Sequence, residues 1–356
     1  LSSSVGAEET LRTAGDAAKW SQQETSDNDR WKTGYGVSLI HYGNCLGAAG
    51  WFMDGSGAKI KVHRDGSISV AFGLVEMGQG ALTVVNQMTA EALGVEPSRI
   101  TVLPTDTEQV PDSGPAVASR NVVMTGNAIR DAANKLLPIL KEAAAELMQC
   151  DLNEVRIENG EVSNIRNEEC LPFPELTNYL YLSNRPMDVL GWWHVPELEY
   201  DAVNGIGEAY FTYSYATHIA RVKVDTLTGL VKVDKIWASH DIGRAINPAG
   251  LEAQIEGGTA QGIGWALTED LKCSAGKVLT DNLTTYLLPT AMDVGDIESI
   301  LVEDPDPEGP WGAKGIGEPA IIPTAAAIAN AVSHALGKSI HKIPMTPEYI
   351  LDMIEA

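Results

Sequence analysis

The stretch that decides the fold is residues 241–264, which reads DIGRAINPAGLEAQIEGGTAQGIG. Just before it, residues 230–237 alternate apolar and polar side chains, and this alternation predicts a β-strand. Residues 250–271 carry apolar residues between small ones, and we predict a helix there. The N-terminus of a helix presents unpaired backbone N–H groups, which suit anionic or oxygen-rich ligands.

The same succession of strands, turn and helix occurs in both halves of the chain. In the first half, the turn Arg64-Asp65-Gly66 separates two alternating runs, which is typical of a β-hairpin. The predicted strands are 59–63, 67–72, 99–103, 218–224, 230–237 and 297–303, and the main predicted helices are 82–93, 127–149, 250–271 and 317–335. This pattern predicts an α+β fold: two α/β subdomains with mixed sheets and packed helices.

Three segments follow from this pattern. Residues 1–33 are predicted as an N-terminal helix, near 7–20, and a polar linker over 21–29 that has no core-forming residue. Residues 34–199 are predicted as the first subdomain and residues 200–356 as the second.

Composition excludes several classes of function. The 356 residues include 48 acidic and 25 basic side chains, a formal net charge of −23, which argues against a nucleic-acid or anionic-membrane partner. The longest apolar-rich stretch, 319–335, contains polar residues and is shorter than the roughly 20 apolar residues that a membrane span needs. The four cysteines form no CxxC pair, which disfavours a zinc or iron–sulfur site on this chain and fits the cytoplasm.

Four glycine-containing loops lead into predicted helices. They are residues 77–80, 113–126, 254–264 and 312–319. Each alone is most often a plain backbone turn, and none matches a nucleotide-binding motif. Together they carry Gln79, Ser119, Arg120, Gln254 and Gln261, neutral hydrogen-bonding groups plus one cation, which suit a polar heterocycle with a phosphate tail.

The last of these loops ends in Glu318, between Gly317 and Pro319, at the mouth of an apolar predicted helix. One interpretation is an acid favoured by the helix dipole. The other is a glutamate in an apolar pocket that acts as a general base. The residues alone leave both open.

Five motifs in order resemble one family. They are EMGQG (76–80), SRNVVMTGNA (119–128), DIGRAINPAGLEAQIEGGTAQGIG (241–264), TYLLPTAMD (285–293) and GAKGIGEP (312–319). Together they resemble the molybdenum hydroxylases, the xanthine dehydrogenase and aldehyde oxidase family, in the C-terminal half of the molybdopterin-binding subunit.

The resemblance implies a molybdopterin-type molybdenum cofactor, the cytosine dinucleotide form being one option. Glu318 would be the catalytic base in the hydroxylation of a substrate carbon with water-derived oxygen. No side chain is expected to ligate molybdenum. The implied cofactor-binding residues are Gly78, Gln79, Gly80, Ala118, Ser119, Arg120, Gln254, Gln261, Gly315 and Gly317.

The resemblance also implies partner chains. Full-length subunits of the family have an N-terminal half with a further cofactor loop, and no counterpart of it is found in this sequence. The chain is then either a fragment or one piece of a split subunit, in which a second molybdopterin-binding chain supplies this half of the site. A [2Fe–2S] subunit and an FAD subunit are also expected.

The substrate is less well defined. In residues 45–50 (CLGAAG), Ala48 and Ala49 fall where purine-oxidising relatives place an aromatic residue and a threonine, so the pocket would be wider. A small-residue turn under the sheet explains these alanines equally well. An N-heterocycle, xanthine-like or nicotinate-like, is the first expectation and an aldehyde the second. A non-catalytic structural subunit remains the alternative from another class.

Overall fold

The computed structural model describes residues 4–23 and 28–355, so residues 24–27 of the predicted linker lie outside the described part. The helices are α1 Ala7–Ala17, α2 Gly47–Gly50, α3 Ala81–Leu93, α4 Asn121–Met148, α5 Phe173–Leu182, α6 Pro248–Leu267, α7 Ile322–Leu336 and α8 Pro347–Glu355. The strands are β1 Trp31–Gly43, β2 Gly55–Val62, β3 Ile68–Phe72, β4 Ile100–Val102, β5 Val155–Glu158, β6 Glu161–Asn164, β7 Cys170–Pro172, β8 Asp188–His194, β9 Tyr200–Asp201, β10 Ile206–Gly207, β11 Tyr213–Asp225, β12 Val231–Asp241, β13 Cys273–Ser274, β14 Lys277–Val278 and β15 Asp296–Val302.

The chain divides into two compact units. Unit 1 comprises the residues up to Tyr42, Thr212–Pro305 and the residues from Ile316 on, and unit 2 comprises Gly43–Phe211 and Asp306–Gly315. The predicted boundaries at residues 34 and 200 differ from this division. The reason is that β1 pairs with β11, so the N-terminal segment joins the sheet of the second half.

Unit 1 is built on the sheet β1-β11-β12-β15. Strands β11 and β12 are antiparallel, and β15 lies parallel to β12. Successive strand residues face opposite sides: Ile219 packs with Ala14 of α1, whereas Ala220 packs in the core with Ile328 of α7. Helices α1 and α7 therefore cover opposite faces of the sheet.

Two glycines bring α7 close to β1. A Cβ on Gly34 would overlap the Ala331 carbonyl oxygen, and a Cβ on Gly36 would overlap the backbone at Ala327 and Ala331. The Asn330 side chain then donates a hydrogen bond to the Val37 carbonyl at 2.9 Å. Strand and helix are thus fixed in one register.

Unit 2 contains the mixed sheet β4-β3-β2-β8, with α4 packed on β2 and β8, and a separate antiparallel sheet β5-β6-β7. Gly191 in β8 lets the α4 backbone approach at Ala128 and Ala132. The helix begins at Asn121, six residues before the predicted start.

The α+β prediction is confirmed, and so are its hairpins. Val62 pairs with Ile68 across the first turn, and Gly66 has a φ of 86°. None of the helices in the described ranges combines the length and the apolar character that crossing a membrane requires.

Candidate cofactor and catalytic site

In unit 2, the loop before α4 has an uncommon backbone. Ala118 and Ser119 have φ values of 53° and 50°, in the left-handed region that few non-glycine residues adopt. The Ala118 carbonyl accepts a hydrogen bond from Cys45 N–H at 2.9 Å, and a Cβ on Gly315 would overlap the Ser119 carbonyl. Such conformations persist where the surroundings over-determine them, often at functional sites.

Arg120 holds this loop from inside the fold. Its side chain is fully buried, and Nε donates to Asp54 Oδ1 at 2.7 Å. Nη1 donates to the carbonyls of Ser113 and Pro115, both at 2.8 Å, and Nη2 to those of Met53 at 3.2 Å and Gly55 at 3.1 Å. All five N–H donors of the guanidinium are used within unit 2.

The resemblance implies that Arg120 is one of the residues that hold the pterin and its phosphate-bearing tail. In this structure its guanidinium has no N–H left for a phosphate, so its side chain supports the loop instead. The Asp54 carboxylate also accepts from Leu46 N–H at 2.7 Å. Burial raises the pKa of Asp54, while this N–H and the Arg120 charge act in the opposite direction.

The loop of Gln79 is closed by Glu76. The Glu76 carboxylate accepts hydrogen bonds from the N–H groups of Gly78 at 2.7 Å and of Gly80 and Leu82 at 3.1 Å. Burial raises the pKa of Glu76, but these bonds outweigh it and the net pKa lies below the usual value. The Gln79 side chain turns back onto its own loop, where Oε1 accepts from Met77 N–H and Nε2 donates to the Val75 carbonyl.

The helices that follow the glycine loops differ at their N-termini. Glu76 occupies the start of α3, and Asn247 Oδ1 accepts from Gly250 N–H at the start of α6. Neither the N-cap residue of α4, Arg120, nor that of α7, Ile321, makes a side-chain cap hydrogen bond. The start of α4 therefore keeps N–H groups that suit an anionic group, which is the requirement of a phosphate tail.

In unit 1, Gln254 and Gln261 lie seven residues apart on α6, hence on one face. Gly258 on this face packs against Ala320, which lies two residues before the start of α7. The face of α6 that carries Gln254 and Gln261 therefore packs, at Gly258, against the turn that follows Glu318.

Glu318 lies on this turn, four residues before the start of α7. It is exposed, whereas the general-base interpretation placed it in an apolar pocket, so the described residues of this chain do not enclose it. Tyr42, at the end of β1, donates a hydrogen bond from its hydroxyl to Glu318 Oε2. Gly317 is exposed as well.

A buried histidine pair lies beneath α7. His218 Nε2 and His240 Nε2 are 2.8 Å apart, and His218 Nδ1 lies 3.1 Å from Thr324 Oγ1. Both rings are fully buried, and His240 Nδ1 has no hydrogen-bond partner among the described residues. Burial, and then the neighbouring ring, lowers the pKa of His218 well below its usual value, and burial lowers the pKa of His240 to about 3.

This pair predicts sensitivity to acid. Because the folded pKa of His240 lies below its unfolded value, the unfolded state binds more protons below about pH 6.5 and stability falls as pH decreases. His240→Gln keeps a hydrogen-bond donor for His218 but does not titrate. We expect its free energy of unfolding to fall less steeply with decreasing pH than that of the parent, by up to about 1.4 kcal/mol per pH unit. Urea unfolding between pH 6.5 and 5 measures this slope. His341→Gln, at an exposed position, is the control, and equal slopes in all three proteins would contradict the prediction.

The predicted substrate-pocket residues lie on short α2. Ala48 is half-buried and Ala49 is exposed, and Phe52, exposed by 71%, follows within one turn. Cys45 just before them is buried, and burial, then the Asp54 charge, raises the pKa of its thiol well above the usual value. These alanines thus belong to a small-residue turn with an exposed edge.

Comparison with known proteins identifies the class of protein that has this fold and these glycine loops. Residues 10–295 match the molybdopterin cofactor-binding domain family. The chain is 34% identical to the xanthine dehydrogenase molybdenum-binding subunit of Escherichia coli O157:H7 over 98% of this chain and 46% of that protein.

Solved structures agree with this match. Quinoline 2-oxidoreductase from Pseudomonas putida 86 superposes with a TM-score of 0.81 at 27% identity, over 98% of this chain and 44% of that one. Aldehyde oxidoreductase from Desulfovibrio gigas gives a TM-score of 0.80 at 30% identity, over 98% and 35%. The chain belongs to the molybdenum hydroxylase family of xanthine dehydrogenases and aldehyde oxidoreductases. It spans less than half the length of these relatives.

Sequence reasoning missed three residues at these loops. Glu76 had a local signal, a carboxylate just ahead of a glycine turn and a helix. Asp54 and Tyr42 had none, because their partners Arg120 and Glu318 are 66 and 276 residues away.

Proposed function

We propose that this chain is the C-terminal part of the molybdopterin-binding subunit of a hydroxylase. The proposed reaction inserts water-derived oxygen at a carbon of an N-heterocycle, xanthine-like or nicotinate-like. The observation that carries the proposal is Glu318, held on the turn before α7 beside the amide face of α6. Xanthine and quinoline, named in two of the relatives, are N-heterocycles.

The residues present fit the cofactor. In unit 2, the free N–H groups at the start of α4 and the held backbone at Ala118 and Ser119 suit the phosphate tail. The open backbone of Gly78 and Gly80, where an added Cβ would meet nothing within 4 Å, leaves room for a ligand at the Gln79 loop. In unit 1, Gln254 and Gln261 offer amides to a pterin.

A molybdopterin-type molybdenum cofactor, of which the cytosine dinucleotide form is one option, would supply the redox chemistry and deliver the water-derived oxygen when bound. In this proposal the Glu318 carboxylate accepts the proton that the reaction releases. The exposed Gly317 would let the backbone pass close to the ligand, whereas Gly315 packs against the Ser119 carbonyl and so supports the loop. [2Fe–2S] and FAD groups on partner chains would receive the electrons.

The exposure of Glu318 supports a partner. In this proposal a second molybdopterin-binding chain encloses Glu318. The cytoplasm is the proposed compartment, which the four free cysteines support. An aldehyde oxidoreductase is the second candidate, favoured by the aldehyde oxidoreductase match.

The test is the complex purified with this chain, analysed for molybdenum and pterin and assayed in H₂¹⁸O. We expect both in equal amounts, and ¹⁸O in a hydroxylated N-heterocycle. Turnover of aldehydes but not of N-heterocycles would change the proposed substrate class to aldehydes. Absence of molybdenum and pterin from every preparation would instead favour the structural subunit.

A further inference from the structure

Strand β1 and helix α7 run antiparallel in unit 1, and their register places Tyr42 at Glu318. Gly36 lies against Ala327 and Ala331. From residue 36 to residue 42 a strand extends about 20 Å. From Ala331 back to the start of α7 is about 14 Å of helix, to which the turn at residues 318–321 is added. The length of this strand segment matches that of the helix segment plus the turn, so the end of β1 meets the turn before α7.

The Tyr42 hydroxyl donates a hydrogen bond to Glu318 Oε2 at this meeting point. Both residues belong to unit 1, so the contact rests on the packing of one compact unit. Glu318 is exposed and sits on a turn, where its carboxylate has several rotamers available. A hydrogen bond from a phenol to a carboxylate selects one of them.

We propose that Tyr42 is a positioning residue for the base, Glu318, of the proposed hydroxylation. Its O–H donates to Oε2 and so orients the carboxylate that accepts the substrate-derived proton. A phenol suits this role because it donates one hydrogen bond along a rigid ring that is anchored in a strand. This inference rests on the proposed function of Glu318.

The contact itself is tested on the 356-residue chain without any cofactor. The chain is labelled with 3-fluorotyrosine, and the ¹⁹F resonance that disappears in Tyr42→Phe is assigned to Tyr42. We expect Glu318→Gln to shift this resonance, and Glu355→Gln, an exposed glutamate of α8, to leave it unchanged. A resonance that Glu318→Gln does not move overturns the contact.

The role is tested in the active complex. Loss of a hydrogen bond to a charged group changes a rate or equilibrium constant by a factor of about 10 to 100. We therefore expect Tyr42→Phe to lower kcat by about that factor and to keep KM within about twofold of the parent value. Tyr181→Phe, an exposed tyrosine of unit 2, is the matched control and keeps the parent kcat.

The two hypotheses fail in different ways. If Glu318→Gln remains active, the proposed function of Glu318 fails. If Glu318→Gln is inactive but Tyr42→Phe keeps kcat within about threefold, Glu318 stands as the base and the positioning role of Tyr42 is overturned. A fall in kcat with an unchanged KM and a shifted resonance supports the inference.

Discussion

Replacing Arg120 with Met is expected to lower the free energy of unfolding by about 3–5 kcal/mol, because it leaves the buried Asp54 carboxylate without its counter-charge. Four backbone carbonyls around the guanidinium lose a donor in the same step. A buried group without a hydrogen bond costs free energy of its own. Urea unfolding of the chain at pH 7 measures the effect.

Two further variants separate charge from geometry. Arg120→Lys keeps the charge but not the planar fork of five donors, and we expect it to recover only part of the loss. Arg156→Met removes an exposed ion pair with Glu158 in the same unit and is expected to cost less than about 1 kcal/mol. An Arg120→Met variant as stable as Arg156→Met would show that the buried pair does not hold the fold.

The same substitution bears on the cofactor. Arg120 fixes the carbonyls of Ser113 and Pro115, so its loss releases the segment in which Ala118 and Ser119 hold positive φ values. We therefore expect the N-terminus of α4 to lose its cofactor-binding shape together with stability. In the proposed site, Arg120 would then affect cofactor binding through the loop that its side chain supports.

Local patterns were enough to predict the hairpins and the existence of the main helices. The β2–β3 turn has glycine where φ is positive, and α3 ends at Gly94, also at positive φ, so residue type and backbone agree. The start of α4 was predicted too late because Val122 and Val123 favour extended backbone, whereas packing makes them helical.

Long-range partners could not be predicted from the sequence. The division into units depends on β1 pairing with β11, which lies about half the chain away. The role of the Arg120 side chain depends on its ion pair with Asp54. The sequence alone does not distinguish a buried arginine from an exposed one. The glycine-loop residues themselves were identified because their motifs occur in a fixed order.

Glu318→Gln is expected to lower kcat/KM of the complex by about 10²- to 10⁴-fold, the contribution of a positioned general base. Glutamine has nearly the same size, and its carbonyl oxygen still accepts the hydrogen bond from the Tyr42 hydroxyl, so the turn before α7 is retained. What it loses is the ability to accept a proton near neutral pH.

Molybdenum and pterin content should stay near that of the parent, because glutamine keeps the size of Glu318 and its hydrogen bond with the Tyr42 hydroxyl. Activity and metal content are therefore measured on the same preparation. Glu355→Gln, which changes an exposed glutamate at the end of α8, is the control. Activity within about tenfold of the parent at full molybdenum content would contradict the role of Glu318. Loss of both would instead mean that the carboxylate binds the cofactor, because a proton acceptor alone has no effect on metal retention.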